Sequence, residues 1–445
     1  MHYHPVTEQD KKEMLKEIGA GSLEDLLRGI PKEIMRPSIK IPEALSEAEI
    51  QNLFQQLGCK NGTTRNTLSF LGAGSYEHFI PAAVHSVISR HEFYTAYTPY
   101  QPEASQGTLH AIYEFQSLVT ELMGLDVSNA SHYDGSTSLA EAGLMALRVT
   151  GRYKILVTRS LHPHYRQVLQ TYLEGTAFKI EEIEFEESGG FDRKNFSGLL
   201  NEEVAGVILQ TPNFFGVLEN LDGIARQVHV AGALMILAVN PLSLGVLKSP
   251  GEWGADIAVG EGQPLGIPLQ LGGPYLGLFT TTRALMRKIP GRLAGLTVDS
   301  EGKRAFCLTL QAREQHIRRE KASSNICTNQ ALCALAACVY MTLLGKKGIR
   351  EIGEINMDRA AYLRGRIAGL KGFEVDENQP IFNEFVVRSK KNFSVIEDNL
   401  QSEHIFPGVA LDLYYPELKN HFLVCATETK TKEDLDRFVE ALARC

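Results

Sequence analysis

The sequence predicts an α/β protein: a mainly parallel central sheet, preceded by an N-terminal helical arm and followed by a smaller C-terminal α+β domain. Three observations predict it. Between about Glu92 and Ser323 short apolar runs alternate with helical patterns, the order of a parallel sheet covered on both faces. The residues before this stretch are amphipathic and helical, and those after about 325 change texture again. At 445 residues the chain exceeds one typical domain and has room for a large core with an attached lobe. The expected divisions are an arm over 1–91, a large domain over 92–325 and a small domain over 326–445.

Taken in order, Ser46 opens a helix with Glu49 three positions on, a capping box, and Ile50, Leu53, Phe54 and Leu57 fall on one face. The turn Asp134-Gly135-Ser136-Thr137-Ser138 precedes a helix lined on one side by Leu139, Gly143, Ala146 and Leu147. Expected strands are Lys154–Ser160, Val204–Gln210, Leu234–Asn240, Asp256–Val259 and Leu276–Thr280, with Leu221, Ile224, Ala225 and Val228 forming a helix face between the second and third. In the last domain Leu363, Ile367 and Leu370 stripe a helix, and Asn383–Arg388 and Phe422–Ala426 read as strands. Thr431 caps a final helix carrying Leu435, Phe438, Val439 and Leu442.

Bulk properties exclude several function classes. A net charge of −8 with no clustered Lys/Arg run argues against nucleic acid as a partner. The longest apolar runs, Val230–Val239 and Ala331–Leu344, fall short of the roughly 20 residues of a membrane span. The polar start MHYHPVTEQDKKE has no signal-peptide core, so no membrane association and a cytoplasmic location are expected. Seven cysteines lie without C-x-x-C spacing, which points to reduced thiols rather than a disulfide framework or a structural zinc site.

The chemistry begins at Gly135-Ser136-Thr137. Such a turn at a helix start offers N–H groups, hydroxyls and the positive end of the helix dipole to a phosphate; plain N-capping by Ser or Thr is the alternative. The strand Lys154–Ser160 leads to Leu161-His162-Pro163-His164, where His162 is either a ring stacked on a ligand or a satisfied loop histidine; a metal pair lacks an evident third ligand, so no metal site is expected. The segment Gly254–Pro274, GADIAVGEGQPLGIPLQLGGP, resembles the stretch that carries the imine-forming lysine in pyridoxal phosphate (PLP) enzymes of the aspartate aminotransferase fold type I. Gln263 stands in the lysine's slot, and a carboxamide forms no imine. In that class an acidic residue holds the pyridinium proton where this chain has Asn240. The resemblance therefore implies a PLP-dependent-transferase-like fold with a vestigial cofactor site at Gly135, Ser136, Thr137, His162, Asn240 and Gln263, and no cofactor bound covalently by this chain.

Two longer segments make the resemblance specific: Phe93–Gly107, FYTAYTPYQPEASQG, and Arg313–Gln330, REQHIRREKASSNICTNQ. With GLDVSNAS at Gly124–Ser131 and NPLSLGVLKSP at Asn240–Pro250, they resemble the P-protein family of the glycine cleavage system across essentially the whole chain. The likeness is to the lysine-less alpha subunit of its split form. It implies an alpha2beta2 assembly in which the beta subunit carries PLP, glycine is decarboxylated, and the aminomethyl group passes to the lipoyl arm of the H-protein. Tyr94, Tyr97, Thr98, Tyr100, Gln101, Glu103, Ser105 and Gln106 are the candidate active-site or interface loop, too Pro-interrupted for a helix and rich in rings with polar tips. Arg313, Arg318 and Arg319 are candidate contacts for a partner or for lipoyl carboxylates, against a solvated helix face as the plainer reading. Two rivals remain: a catalytically inert structural or regulatory subunit that stabilises the beta subunit or docks H-protein, and an autonomous PLP enzyme using another lysine such as Lys248.

Overall fold

A computed structural model describes residues 5–35, 41–64, 66–270 and 272–445. The chain divides into two compact units, one ending at Gly62 and one running from Thr63 to Cys445. The first is helical. Ser46 caps Glu47–Gly58 through a capping box with Glu49, as the Ser-x-x-Glu spacing requires. Its expected apolar face forms, but Ile50, Leu53, Phe54 and Leu57 all remain exposed within the chain.

The second unit is built on a seven-stranded sheet among the described residues. Its strands are β1 (Val127–Ser128), β2 (Lys154–Thr158), β3 (Lys179–Ile183), β4 (Val204–Gln210), β5 (Leu234–Val239), β6 (Ile257–Glu261) and β7 (Gly277–Thr281). Their order is β1-β7-β6-β5-β4-β2-β3. Pairing is parallel from β3 through β2, β4 and β5 to β6 and antiparallel on either side of β7. The five strands expected from sequence are present; β1 and β3, short or rich in charge, were not legible as apolar runs.

Alternation along the buried strands divides the core in two, because successive side chains point to opposite faces. Met235, Leu237 and Val239 of β5 join Val207 and Leu209 of β4 on one face, packed with Phe115, Val119 and Met123 of α1 (Gln106–Met123). Ile236 and Ala238 join Ala205 and Ile208 on the other, beneath Leu139, Ala142, Met145 and Ala146 of α2 (Gly135–Thr150) and Leu169 of α3 (Pro163–Leu173). A hairpin, β8 (Leu293–Val298) with β9 (Arg304–Thr309), buries Ala294, Phe306 and Leu308 against Leu109 and Ile112 of α1.

The helix Ala331–Ala368 is, by length and composition alone, apolar enough to cross a membrane. Gly345, with φ 58° and ψ −176°, interrupts it, so the apolar run read from the sequence ends where the helix breaks. Ala336, Ala337, Tyr340 and Met341 before the break are buried in the sheet core, and Leu363 and Ile367 after it in the small lobe. The lobe's antiparallel sheet contains Glu384–Ser389 paired with His421–Cys425. Thr431 caps Lys432–Arg444, whose Leu435, Phe438, Val439 and Leu442 face the lobe's core. The chain just after Gly62 enters the same core: Leu68–Ser69 pairs with Ile405–Phe406, and Phe70 stacks on Phe438 at 4.0 Å.

Phe70 is fully buried whereas Phe54 is 67 % exposed. Phe70→Ala is therefore expected to cost roughly 3–5 kcal/mol, and Phe54→Ala within about 0.5 kcal/mol. The two midpoints of urea denaturation check this.

Candidate functional site

Open α/β folds bind ligands beyond the carboxyl ends of their parallel strands, and a cleft of about 350 Å³ lies there, lined by Ser75, Asp134, Ser136, His162, Tyr165 and Glu261 among others. α2 starts at its edge. The cap is Asp134, not Ser or Thr: its side chain accepts from the Thr137 N–H at 2.8 Å and from the Ser136 hydroxyl at 2.6 Å. The N–H of Gly135 donates to Glu261 Oε2 at 2.9 Å, and Glu261 Oε1 accepts from the N–H groups of Gln263 and Leu276, both at 3.0 Å. The phosphate-type turn is thus formed, but protein carboxyls engage it. Burial pushes the Glu261 carboxyl up to about 8, against the downward pull of its three N–H donors. The packing beside the Gly135 Cα is tight too. A Cβ on Gly135 would lie 2.1 Å from the Tyr165 hydroxyl oxygen and 2.9 Å from the Glu261 nitrogen.

Gln263 is 1 % exposed. Its carboxamide pairs with both peptide groups of Tyr76: Oε1 accepts from the Tyr76 N–H at 2.9 Å, and Nε2 donates to the Tyr76 carbonyl at 2.9 Å and to that of Ile267 at 2.7 Å. The residue in the lysine's slot is therefore a staple for the segment 70–78. The Tyr76 hydroxyl donates to Glu384 Oε2 and the Ala73 N–H to Glu384 Oε1, both at 2.6 Å. The Ala73 carbonyl lies 2.8 Å from His162 Nε2. Ala73 has φ 59°, a strained conformation for a residue with a Cβ, which persists when its surroundings fix it; here both its peptide groups are held. Gly74 follows with φ +97°, and a Cβ there would meet His162 Nε2 at 2.6 Å.

Over residues 1–442 the chain matches the family model described as glycine cleavage system P-protein. The chain belongs to that family. It is 50 % identical over 443 residues, 99 % of each chain, to the probable glycine dehydrogenase (decarboxylating) subunit 1 of Desulfitobacterium hafniense. It is also 50 % identical over 444 residues to the protein of the same name from Geobacillus sp., covering 100 % of this chain and 99 % of that one. Among solved structures it resembles the P-protein glycine decarboxylase of the glycine cleavage system in inhibitor-bound form, with a TM-score of 0.92, 44 % identity and full coverage of both chains. A sphingosine-1-phosphate lyase of Burkholderia pseudomallei shares the fold at a TM-score of 0.67 and 12 % identity over 93 % of each chain. The fold is that of the PLP-dependent transferases.

The remaining residues of this P-protein chain's cofactor position follow the same pattern. His162 is buried, not a surface histidine. It stacks on Tyr165 at 4.8 Å, and Nδ1 accepts from the His164 N–H at 3.1 Å, which leaves Nε2 to donate to Ala73. Burial pushes its pKa down to about 4, so the ring is neutral at pH 7. Asn240 caps the turn Pro241–Gly245 by accepting from the Leu242 N–H at 3.1 Å, while its Nδ2 is buried without a partner. Lys248 is at the surface, 4.2 Å from the centre of the Trp253 ring. The residues present do not fit PLP: among the described residues no amine faces the position, Asn240 brings no negative charge, and the N–H groups of Gly135 and Thr137 at the start of α2 face carboxyls.

Outside this position, His91–Tyr94 forms a single helical turn where no helix was expected, and 95–105 is irregular. Tyr94 and Tyr97 are 67 % and 85 % exposed. Tyr100 lies under Arg292, whose Nη2 donates to its hydroxyl at 3.2 Å. Gln106 faces inward, donating to the Pro102 and Phe306 carbonyls and accepting from the Phe306 N–H at 2.9 Å. Ser105 precedes α1 without a side-chain cap. The arginine-rich segment is not one helix face but three short turns. Arg313 donates to the Ile289 carbonyl, Arg318 Nε to that of Ala312 at 3.2 Å, and Arg319 is exposed. Glu261, Tyr165, Glu384 and Tyr76 were missed in the sequence. Only Glu261 left a signal there, as a carboxylate closing the apolar run Ile257–Glu261.

Gln263→Ala strands three buried peptide groups and is expected to cost roughly 3–5 kcal/mol, read by chemical denaturation. Burial raises the Glu384 carboxyl to about 7 from 4.5, so between those values the folded chain holds a proton that the unfolded chain releases. The contribution is complete below about 4.5 and lost as pH rises through 7. Relative to Glu384→Gln, the native chain should lose about 2–3 kcal/mol between pH 5 and pH 8, measured by paired denaturation curves.

Proposed function

We propose that this chain serves as subunit 1 of a glycine-decarboxylating P-protein and works only with a second, lysine-bearing subunit that holds PLP. One observation supports this reading: the carboxamide of Gln263, which the resemblance to PLP enzymes puts in the slot of the imine-forming lysine, is engaged with Tyr76 and Ile267. The numbered name of the relatives at 50 % identity supports the existence of a second subunit. When bound in that partner, PLP supplies the electron sink for loss of CO₂ from glycine.

The contribution of this chain is to wall the partner's site and keep water from it. The exposed tyrosines Tyr94 and Tyr97 with Thr98, Gln101 and Glu103 form the surface for this role, since tyrosine offers a rigid apolar wall with a polar tip. Tyr100, held by Arg292, fixes the loop's end. Arg318 and Arg319 are the exposed cations available to a partner carboxylate or to the carrier of the lipoyl arm, the H-protein. The assembly is taken as two copies of each subunit in the cytoplasm.

The chain alone with PLP should show no glycine-dependent CO₂ exchange, and exchange should appear on adding a lysine-bearing subunit and H-protein. In that complex Tyr97→Phe and Glu103→Gln should lower turnover at least several-fold with subunit affinity unchanged. Unchanged turnover would remove the loop from the chemistry and favour a purely structural subunit.

A further inference from the structure

We infer that this chain has replaced a bound phosphate by its own side chains, so that the place where its fold would hold a phosphate group is closed to phosphate, free or esterified, whether or not an imine could form. A helix start is an anion site because its first N–H groups lack intrahelical partners and carry the positive end of the dipole. At α2 three of those groups are answered from within. Asp134 donates to the Thr137 hydroxyl at 3.2 Å, Gly135 to Glu261, and Thr137 to the Asp134 side chain. The Ser136 hydroxyl, which a phosphate oxygen would otherwise meet, also turns to Asp134.

Tight packing around the helix start acts independently of charge. Even a methyl on Gly135 would overlap the Tyr165 hydroxyl, and Tyr165 cannot swing aside freely because His162 stacks on it while Phe214 packs edge-on against His162 at 5.0 Å. On the opposite side β7 leaves no slack, since a Cβ on Gly277 would lie 2.4 Å from both the Asp134 carbonyl oxygen and Ser138 Oγ. A phosphate at this point would sit against the Asp134 carboxylate, where like charges repel, and would find the Gly135 N–H already held by Glu261. Among the described residues no Lys or Arg lines the cleft.

The substitution also explains how the chain can fold without a cofactor. A carboxyl tethered to the same chain satisfies the helix start without losing translational freedom on binding, a loss that a free ligand incurs. Glu261 does this while its other oxygen holds the N–H of Gln263 and of Leu276, so the same side chain fixes the strand end that presents Gln263.

The test uses the full chain, titrated with inorganic phosphate and with pyridoxine 5′-phosphate, which has no aldehyde and cannot be trapped by surface lysines. Binding is followed by phosphorus NMR and by the melting temperature at matched ionic strength. Neither compound should bind saturably or raise the melting temperature of the native chain. Glu261→Gly frees three N–H groups and the space beside them, and its melting temperature should rise with phosphate concentration, as linkage requires for a ligand that binds the folded state. Saturable binding by the native chain overturns the inference, as does a folded Glu261→Gly chain, verified by circular dichroism, that gains no phosphate affinity. If that variant does not fold, the native titration decides alone: saturation overturns, its absence supports.

Discussion

The pairing of the Gln263 carboxamide with both peptide groups of Tyr76 is the constraint on which the architecture around the cleft depends. A buried peptide group without a partner costs free energy on the scale of a lost hydrogen bond. Tyr76 is removed from the sheet edge and from any helix, so its groups have no ladder to join. The side chain of Gln263 is the ladder. Once it holds Tyr76, the neighbouring residues are committed. Phe70 reaches the small-lobe core, and Ala73 meets Glu384 and His162. Glu77 lies 2.7 Å from Lys430, and His78 2.8 Å from Glu428. The segment thereby ties the sheet domain to the small lobe through polar contacts buried on both sides.

The buried carboxyls Glu219, Glu261 and Glu384 share an electrostatic logic. Burial raises Glu219 and Glu384 to about 7 and Glu261 to about 8, and each accepts mainly from backbone N–H, hydroxyl or amide donors rather than from a cation. His162 and His132 are pushed the other way, to about 4 and about 3, by the same burial. Around the cleft the chain thus favours neutral forms and satisfies them by hydrogen bonds. A PLP site needs the reverse: fixed charge aimed at phosphate and pyridinium. In this member of the P-protein family the fold around the cleft is held by hydrogen bonds among Gln263, Tyr76, Glu261 and Glu384.

Much of the scaffold was legible in the chain. The runs Val204–Gln210 and Leu234–Val239 announced buried parallel strands because both of their faces are apolar, and the capping boxes at Ser46 and Thr431 announced helix starts because a side chain three residues away can close them. These are local signals of period and spacing. The hairpin of β8 and β9 escaped because Val298 and Leu296 are exposed, so its residues do not form a continuous buried run. The arginine-rich segment escaped as well, since its charges resemble a helix face while Leu310 and Arg319 adopt positive φ and break it into turns.

By itself the sequence determined the fold class, the family likeness and the chemical fact that a carboxamide at 263 cannot form an imine; each follows from residue identity and local spacing. Only the tertiary structure decided which side chains meet around the cleft. Glu261 meets Gly135 across 126 positions, Gln263 meets Tyr76 across 187, and Glu384 meets Tyr76 across 308. No local pattern encodes such pairings, because they arise when strand ends, a helix start and a crossing segment are brought together by burial of two separate cores.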